Sequence, residues 1–547
     1  MEEGYSFEEL DKINNNNYLN EKELKNIQQQ IYSLLLQKDT KQTTEKIVIF
    51  IIKNNFIKSI RSDEKDEIWI YNNGIYIPEG KTYIQEICRN ILEIAFTTYL
   101  CNQVINKIQA DTYISQEDFF NQQNKYPYLI PVENGILDIK NNDLLLFDPF
   151  YYFFNKIHAK FNKNNECPNI IKFVKQILPE NREDLVSTIQ ELFGYSLIKN
   201  YKYEKSFMFE GIGRNGKSKL ISLFNKFLGV ENCSNIDLQT LEQVDSFQIV
   251  NLHNKLLNIS ADISSNAFNN TGLFKKLTGN DEINANRKFK NSINFTNYAK
   301  MIFATNELPF TKDISDGFWD RWVLIEFPNK FIPQKELNNL TKEEIKKKNI
   351  KLQDSNILKN ISSEEEMSGL LNWALDGLYR LELKKDFSCI DSMKKIKKTW
   401  IRKSNSVEAF CDDCIEISYK NNYVSKQDFR KQYADYCRDH NIKGASDKQI
   451  KITLINKFSV TEGRTFFQNN QERIHTWEGI KFKDSNNQLS NKIIEELIFF
   501  IGKQRDKSEV NEFFIRNNVS VDDKYKILEK LKNEGELIET NTKYKKV

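Results

Sequence analysis

Apolar residues recur at helical spacing over residues 21–37, with Ile27, Ile31 and 34–36 on one face, and again over 44–57. Both stretches predict helices. The run EIWIYNNGIYIPEG then alternates apolar and polar around Asn72-Asn73-Gly74, which predicts a hairpin. Residues 81–120 return to helical spacing. PYLIPVENGILDIKNNDLLLFDP is a second β-rich patch, with turns at Asn134-Gly135 and Asn141-Asn142. A helix pair containing LVSTIQELFGYSLI fits 168–200. From Lys205 to about Phe331 short apolar strands alternate with helices, an α/β pattern. Residues 332–402 are charged and helical, and the lysine run 346–348 reads as a solvated face. Residues 405–483 run helix, helix with Ser425 as N-cap, helix from Ser446, then a hairpin from Phe466 to Phe482. Residues 490–547 repeat that scheme in miniature. A helix–turn–helix followed by a β-wing is winged-helix order, so both segments are expected to be winged-helix units.

At 547 residues the chain has room for about three or four domains. With 39% hydrophobic and 12% aromatic residues it can build real cores, which excludes wholesale disorder. Lys+Arg 79 nearly cancels Asp+Glu 76, so any nucleic-acid surface must be local. Eight scattered cysteines make no disulfide scaffold, and the opening residues are acidic and polar. The longest apolar stretch, 47–52, falls far short of a membrane span. These features predict a soluble intracellular protein.

The strongest chemical signal is GIGRNGKS, in which Gly211, Ile212, Gly213, Arg214, Asn215, Gly216, Lys217 and Ser218 fit G-x-x-x-x-G-K-[S/T]. An apolar strand precedes it and an amphipathic helix follows. Glycines let backbone N–H groups curl around a β-phosphate at the positive end of that helix. Lys217 would reach the β/γ oxygens from an exposed loop, and the Ser218 hydroxyl would hold Mg²⁺. KLLNISAD, residues 255–262, is a strand that delivers Asp262 beside the loop, placed for the Mg²⁺ water shell or as a helix cap. A third strand, KMIFATN, delivers Asn306 to the sheet edge where ligands of α/β sheets sit. Arg321 follows between Trp319 and Trp322, where cation–π packing is the structural alternative to a chemical role.

In this order GIGRNGKS, KLLNISAD, LFKKLTGNDEINANRKF, KMIFATNELP and FWDRWVLIEFP resemble the superfamily 3 helicases, specifically the poxvirus and phage/plasmid primase–helicase family. The likeness extends over roughly 45–485. It implies a multidomain α/β plus α+β protein: a P-loop AAA+-like ATPase core with a mainly helical N-terminal region and C-terminal winged-helix domains. The expected boundaries are 1–45 for a helical extension, 46–165 for a family-specific domain and 166–332 for the ATPase. A helical connector, 333–402, and winged helices at 403–485 and 486–547 complete the chain.

The resemblance further implies ATP on 211–218, Mg²⁺ chemistry at Ser218 and Asp262, a γ-phosphate sensor at Asn306 and an arginine finger at Arg321 for a neighbouring subunit. It puts residues 279–290 in a ring's central pore, where Lys288, Phe289 and Lys290 offer charge and a stacking face to single-stranded DNA. In the first winged helix Lys426, Arg430, Lys431, Lys448 and Lys451 are the candidate DNA contacts. The family usually has an acidic pair at the second motif; here Asp262 stands alone after Ala261, which leaves open what orients the attacking water, Glu210 being a candidate by position.

No Asp-x-Asp with a catalytic histidine precedes the loop, so a separate primase or polymerase is an expected partner. Cys411-x-x-Cys414 and Cys437-x-x-His440 have zinc-ligand types, yet both pairs extend the apolar faces of predicted helices. The expected function is an ATP-dependent replicative helicase, ring-forming and hexameric by resemblance, acting on single-stranded and forked DNA in the cytoplasm or wherever the replicating DNA resides. The alternatives are an ATP-switched replication initiator and, more remotely, a P-loop motor on another polymer or a metabolic kinase.

Overall fold

The computed structural model describes residues 21–61, 67–243, 246–288, 290–313, 315–418, 422–440, 442–466, 473–483, 497–498, 500–501, 504–516, 521–533, 537–540 and 543–546. Two compact units divide the chain, 1–397 and 398–547.

The first unit opens with helices α1 (Glu21–Leu36) and α2 (Thr40–Asn54). Asp39 caps α2 by accepting from Gln42 N at 3.0 Å, so the helix starts at Thr40, four residues before the apolar spacing begins. Asn55 is extended and ends the helix, so Ile57 opens strand β1 (Ile57–Ile60) instead of closing α2 as expected. β1 pairs antiparallel with β2 (Glu67–Asn72) and parallel with β4 (Tyr113–Ile114); β3 (Ile75–Ile77) completes the order β3-β2-β1-β4. Helices α3 (Gly80–Leu92) and α4 (Thr98–Asp111) bury Ile84, Ile87, Val104 and Ile108 against Ile31, Ile47 and Ile51. Each such side chain stabilises the fold by about 1.5–3 kcal/mol when fully buried. After α5 (Gln116–Asn121) comes an antiparallel meander of β5 (Leu129–Val132), β6 (Gly135–Asp138) and β7 (Asp143–Leu145).

The core of this unit is a five-stranded parallel sheet of order β14-β8-β13-β10-β9. Its strands are β8 (Ser206–Glu210), β9 (Cys233–Ser234), β10 (Leu257–Ser260), β13 (Lys300–Thr305) and β14 (Trp322–Glu326). Phe207, Met208, Phe209, Met301, Ile302, Phe303 and Ala304 are wholly buried, as expected where both faces of a parallel sheet are covered. Helices α6 (Pro168–Ile177), α7 (Glu183–Tyr195), α8 (Lys217–Leu228) and, later, α10 (Glu364–Lys384) supply its cover. Between β10 and β13 lie α9 (Gly272–Thr278) and the antiparallel hairpin β11 (Glu282–Arg287) and β12 (Lys290–Thr296). The stretch expected to be helical after 332 is mostly so, but β16 (Ile350–Leu352) also pairs in parallel with β15 (Lys330–Ile332).

The second unit contains α11 (Ser406–Cys414), β17 (Ile415–Ile417), β18 (Tyr423–Ser425), α12 (Lys426–Asp439) and α13 (Asp447–Phe458). Ser425 and Ser446 cap the last two helices, accepting from Asp428 N and Gln449 N. A hairpin of β19 (Thr461–Phe466) and β20 (Arg473–Glu478) gives the sheet order β18-β20-β19, and β21 (Ile480–Phe482) pairs with β17. The hairpin starts five residues before the expected Phe466, since Glu462, Gly463 and Arg464 carry no strand signal. Phe410, Phe429, Tyr433, Leu454 and Trp477 form its core. Beyond it β22 (Gln504–Asp506), α14 (Lys507–Arg516), α15 (Val521–Asn533), β23 (Leu537–Glu539) and β24 (Lys543–Lys546) build a sheet of order β22-β24-β23. No helix among the described residues is long and apolar enough to cross a membrane.

Candidate nucleotide site

The loop between β8 and α8 is built to keep side chains out. Gly216 has φ +92°, and a Cβ there would lie 2.4 Å from Ile177 Cγ2, so only glycine fits. Arg214 also takes a left-handed conformation, and its carbonyl accepts from Phe331 N at 2.7 Å. Asn215 is buried: its Nδ2 donates to Phe327 O at 3.4 Å and its Oδ1 accepts from Lys217 N at 3.3 Å. Ile212 and Gly213 are exposed at the tip, while Arg214 Nη1 reaches both carboxylate oxygens of Glu336 at 3.1 and 3.0 Å. The loop therefore leaves its backbone facing the N-terminus of α8, the positive end of a helix of 12 residues.

Lys217 does not sit on an exposed loop. It is the first residue of α8, 6% exposed, with its ammonium folded onto the strand ends. Nζ donates to Thr305 O at 2.9 Å, to Asn306 Oδ1 at 3.3 Å and to Gly211 O. Burial lowers its pKa to about 8, against the Glu210 and Asp262 carboxylates, which favour the charged form. The reason for the difference from expectation is that three carbonyl-type oxygens at the sheet edge satisfy the ammonium before any ligand arrives.

Asp262 and Asn306 lie just past the C-terminal ends of β10 and β13, which are two and one residues shorter there than the sequence suggested; both side chains are exposed. Ser218 is exposed in the first turn of α8. The Ser218 hydroxyl and the Asp262 carboxylate are hard oxygen donors of the kind Mg²⁺ takes. Lys217, Ser218, Asp262 and Asn306 thus share one edge of the sheet, the carboxyl edge where ligands of α/β sheets bind. Thr305, whose carbonyl holds Lys217, and Glu336, which holds Arg214, carried no sequence signal. They lie 88 and 122 residues away from their partners.

Arg321 is elsewhere. It precedes β14 at the opposite edge: its carbonyl accepts from Ser206 N at 2.6 Å, and the guanidinium meets Glu204 at 3.1 Å, Thr278 Oγ1 at 2.9 Å and Gly317 O. Lys397 lies over the Trp319 ring, 5.9 Å from its centroid. At the hairpin tip Lys288 is exposed, whereas Phe289 and the Lys290 side chain lie outside the described residues. The neighbouring Arg287 pairs with Glu67 at 3.2 Å, tying the hairpin to β2.

In the second unit Lys431 and Lys448 are exposed, while Arg430 pairs with Asp447 at 2.8 Å and both Lys426 and Lys451 pair with Glu462. Cys411, Cys414 and Cys437 are buried among the core residues, which raises all three thiols, Cys414 to about 11. The His440 ring lies 4.4 Å from that of Tyr436. Among the described residues no group of three or more His, Cys, Asp or Glu could hold a metal ion.

The five-stranded parallel sheet with a phosphate loop after β8 is consistent with a P-loop ATPase core. Residues 209–321 match the family of unknown function DUF5906, and residues 49–179 match the domain described as D5 N terminal like. "Putative helicase 121R" of Invertebrate iridescent virus 3 is 24% identical over 375 residues, 59% of this chain and 39% of that protein. "Putative helicase L207/L206" of Acanthamoeba polyphaga mimivirus is 28% identical over 301 residues, 53% of this chain and 30% of that protein. The chain thus spans less than half the length of these relatives. Of solved structures, the apo C-terminal region of NrS-1 is 14% identical, covering 79% of this chain and 98% of its own at a TM-score of 0.38. The two matched domains are those typical of viral superfamily 3 primase–helicases, the family the sequence resembles, and the chain is distantly related to the viral proteins named as putative helicases.

Proposed function

We propose that the protein is an ATP-dependent replicative DNA helicase of superfamily 3, working as a ring, for a virus, plasmid or integrated element. One observation carries the reading: the sheet gathers Lys217, Ser218, Asp262 and Asn306 at one edge and puts Arg321 at the other. In this reading ATP lies on 211–218, with Lys217 leaving its strand-end carbonyls for the β/γ oxygens. Ser218 and Asp262 would hold Mg²⁺, which would supply charge neutralisation of the phosphates, and Asn306 senses the γ-phosphate. Arg321 completes the site of the adjoining subunit, which is why activity requires assembly, most simply a hexamer.

Lys288, Phe289 and Lys290 at the hairpin tip grip single-stranded DNA in the pore. The β18–α12–α13–β19–β20 and β22–α14–α15–β23–β24 segments act as winged helices on duplex or forked DNA, with Lys426, Arg430, Lys431, Lys448 and Lys451 near phosphates. Primer synthesis falls to a separate primase or polymerase.

The second reading, an initiator that melts an origin without travelling, shares every one of these parts except translocation. A forked duplex with a 5′ or a 3′ single-stranded tail separates them. A helicase displaces the strand with one tail polarity in an ATP-dependent manner; an initiator binds the fork and displaces neither.

A further inference from the structure

Two segments of the second unit carry the same charged cluster at the same place in the same topology. In each, a short strand leads into a helix, a second helix follows, and a hairpin closes the sheet in the orders β18-β20-β19 and β22-β24-β23. The registers coincide. Val424 and Glu462 flank Trp477 on the central strand, and Arg505 and Glu539 flank Tyr544 on its counterpart. Two residues past Val424 and Arg505, each first helix opens on a lysine, Lys426 and Lys507. Their ammonium groups lie 4.3 Å from the Trp477 centroid and 5.6 Å from that of Tyr544.

Both lysines pair with the outer-strand glutamate, Lys426 with Glu462 and Lys507 with Glu539 at 2.6 Å. A lysine from the second helix closes on the same carboxylate: Lys451 at 2.5 Å on Glu462, and Lys532 on Glu539. The lysines hold both carboxyls down to about 2, so each glutamate stays ionised across the working pH range. In each, one lysine over an aromatic ring and a second from the next helix converge on one two-oxygen anion, contacts that a phosphodiester can also take. The carboxylates and lysines range from 23% to 51% exposed, and pairs this open to solvent contribute modestly, so an anion that also releases counterions can replace them.

We propose that residues 423–482 and 504–546 are two copies of one phosphate-binding module, in which Glu462 and Glu539 occupy the place that backbone phosphates of duplex DNA take on binding. This rests on the DNA-binding reading of the second unit.

The test compares the full chain with the Glu462→Gln/Glu539→Gln double variant, without nucleotide, on a short duplex and on tripolyphosphate. Duplex binding is read by anisotropy. Tripolyphosphate binding is read as Trp477 fluorescence, taken as the difference from W477F. Losing the competing carboxylate should tighten duplex binding about two- to five-fold per module, the worth of an exposed pair. Lys426→Gln/Lys507→Gln should weaken it in either background. Unchanged or weaker duplex binding by a double variant that melts like the wild type means the glutamates organise the lysines and do not compete, which overturns the inference. If no form binds duplex but tripolyphosphate binds more tightly to the double variant, the modules are anion sites and the DNA reading falls alone. If neither ligand gains, the inference falls.

Discussion

Lys217 and Arg321 stand at opposite edges of one parallel sheet. Lys217 Nζ bonds the carbonyl of Thr305, the register partner of Glu210 at the end of β8, whereas the Arg321 carbonyl accepts from Ser206 at its start. Four strand steps separate the two ends, about 13 Å at the usual rise. An arginine so placed does not face the phosphate loop of its own chain, and Glu204 and Thr278 hold it outward from the sheet's other end.

Lys217→Ala should abolish ATP hydrolysis. The expected loss is three orders of magnitude or more, roughly what removing a key phosphate-stabilising cation costs. Folding should survive, because the oxygens left behind, Thr305 O, Gly211 O and Asn306 Oδ1, adjoin the solvent-facing loop. Steady-state phosphate release with a thermal melt checks both; normal hydrolysis would remove the nucleotide-site assignment.

The hairpin variant Lys288→Ala/Lys290→Ala should keep basal hydrolysis within about two-fold and lose DNA stimulation and unwinding, since each base stack and phosphate contact at a pore tip is worth on the order of 1 kcal/mol or more. ATPase rates with and without single-stranded DNA decide it. Loss of the basal rate as well would mean that the hairpin supports the ATP site instead.

His253 gives the first unit an acid-sensitive seam. Its ring lies between Phe120 and Phe295, at 5.1 and 5.3 Å, and burial lowers its pKa to about 4, with Arg287 acting the same way and Glu67 opposing. The unfolded chain takes up the proton near pH 6.5 and the folded chain only near 4. Stability is therefore complete above about pH 6.5 and falls as pH drops towards 4, by on the order of 2 kcal/mol after allowing for partial exposure. Thermal melts from pH 7.5 to 4.5 should fall more steeply for the wild type than for His253→Asn; equal slopes would refute the seam.

Much of this was legible in the chain. SFMFE and KMIFAT read as strands because burial on both faces leaves an unbroken apolar run. GIGRNGKS announces itself because the loop forbids side chains at Gly216. Features set by distant partners were not legible. The infolded Lys217 depends on a carbonyl 88 residues away, the start of α2 depends on the Asp39 cap, and the Arg321 cage depends on Thr278 and Glu204. β19 hid because Glu462 and Arg464 are charged and Gly463 has no side chain, a Cβ there meeting the Glu478 side chain across the hairpin, so the strand shows no apolar alternation.

The shared site is tested most directly by mixing Lys217→Ala with Arg321→Ala. Each interface needs Lys217 from one chain and Arg321 from the next, so each variant alone should assemble, bind DNA and hydrolyse ATP at least about 10³-fold more slowly. In a mixed ring some interfaces keep both residues intact. Partial recovery of ATPase activity on mixing is the predicted result. No recovery from two folded, co-assembled variants, or normal hydrolysis by Arg321→Ala alone, would contradict it and leave Arg321 as the structural partner of Glu204 and Thr278.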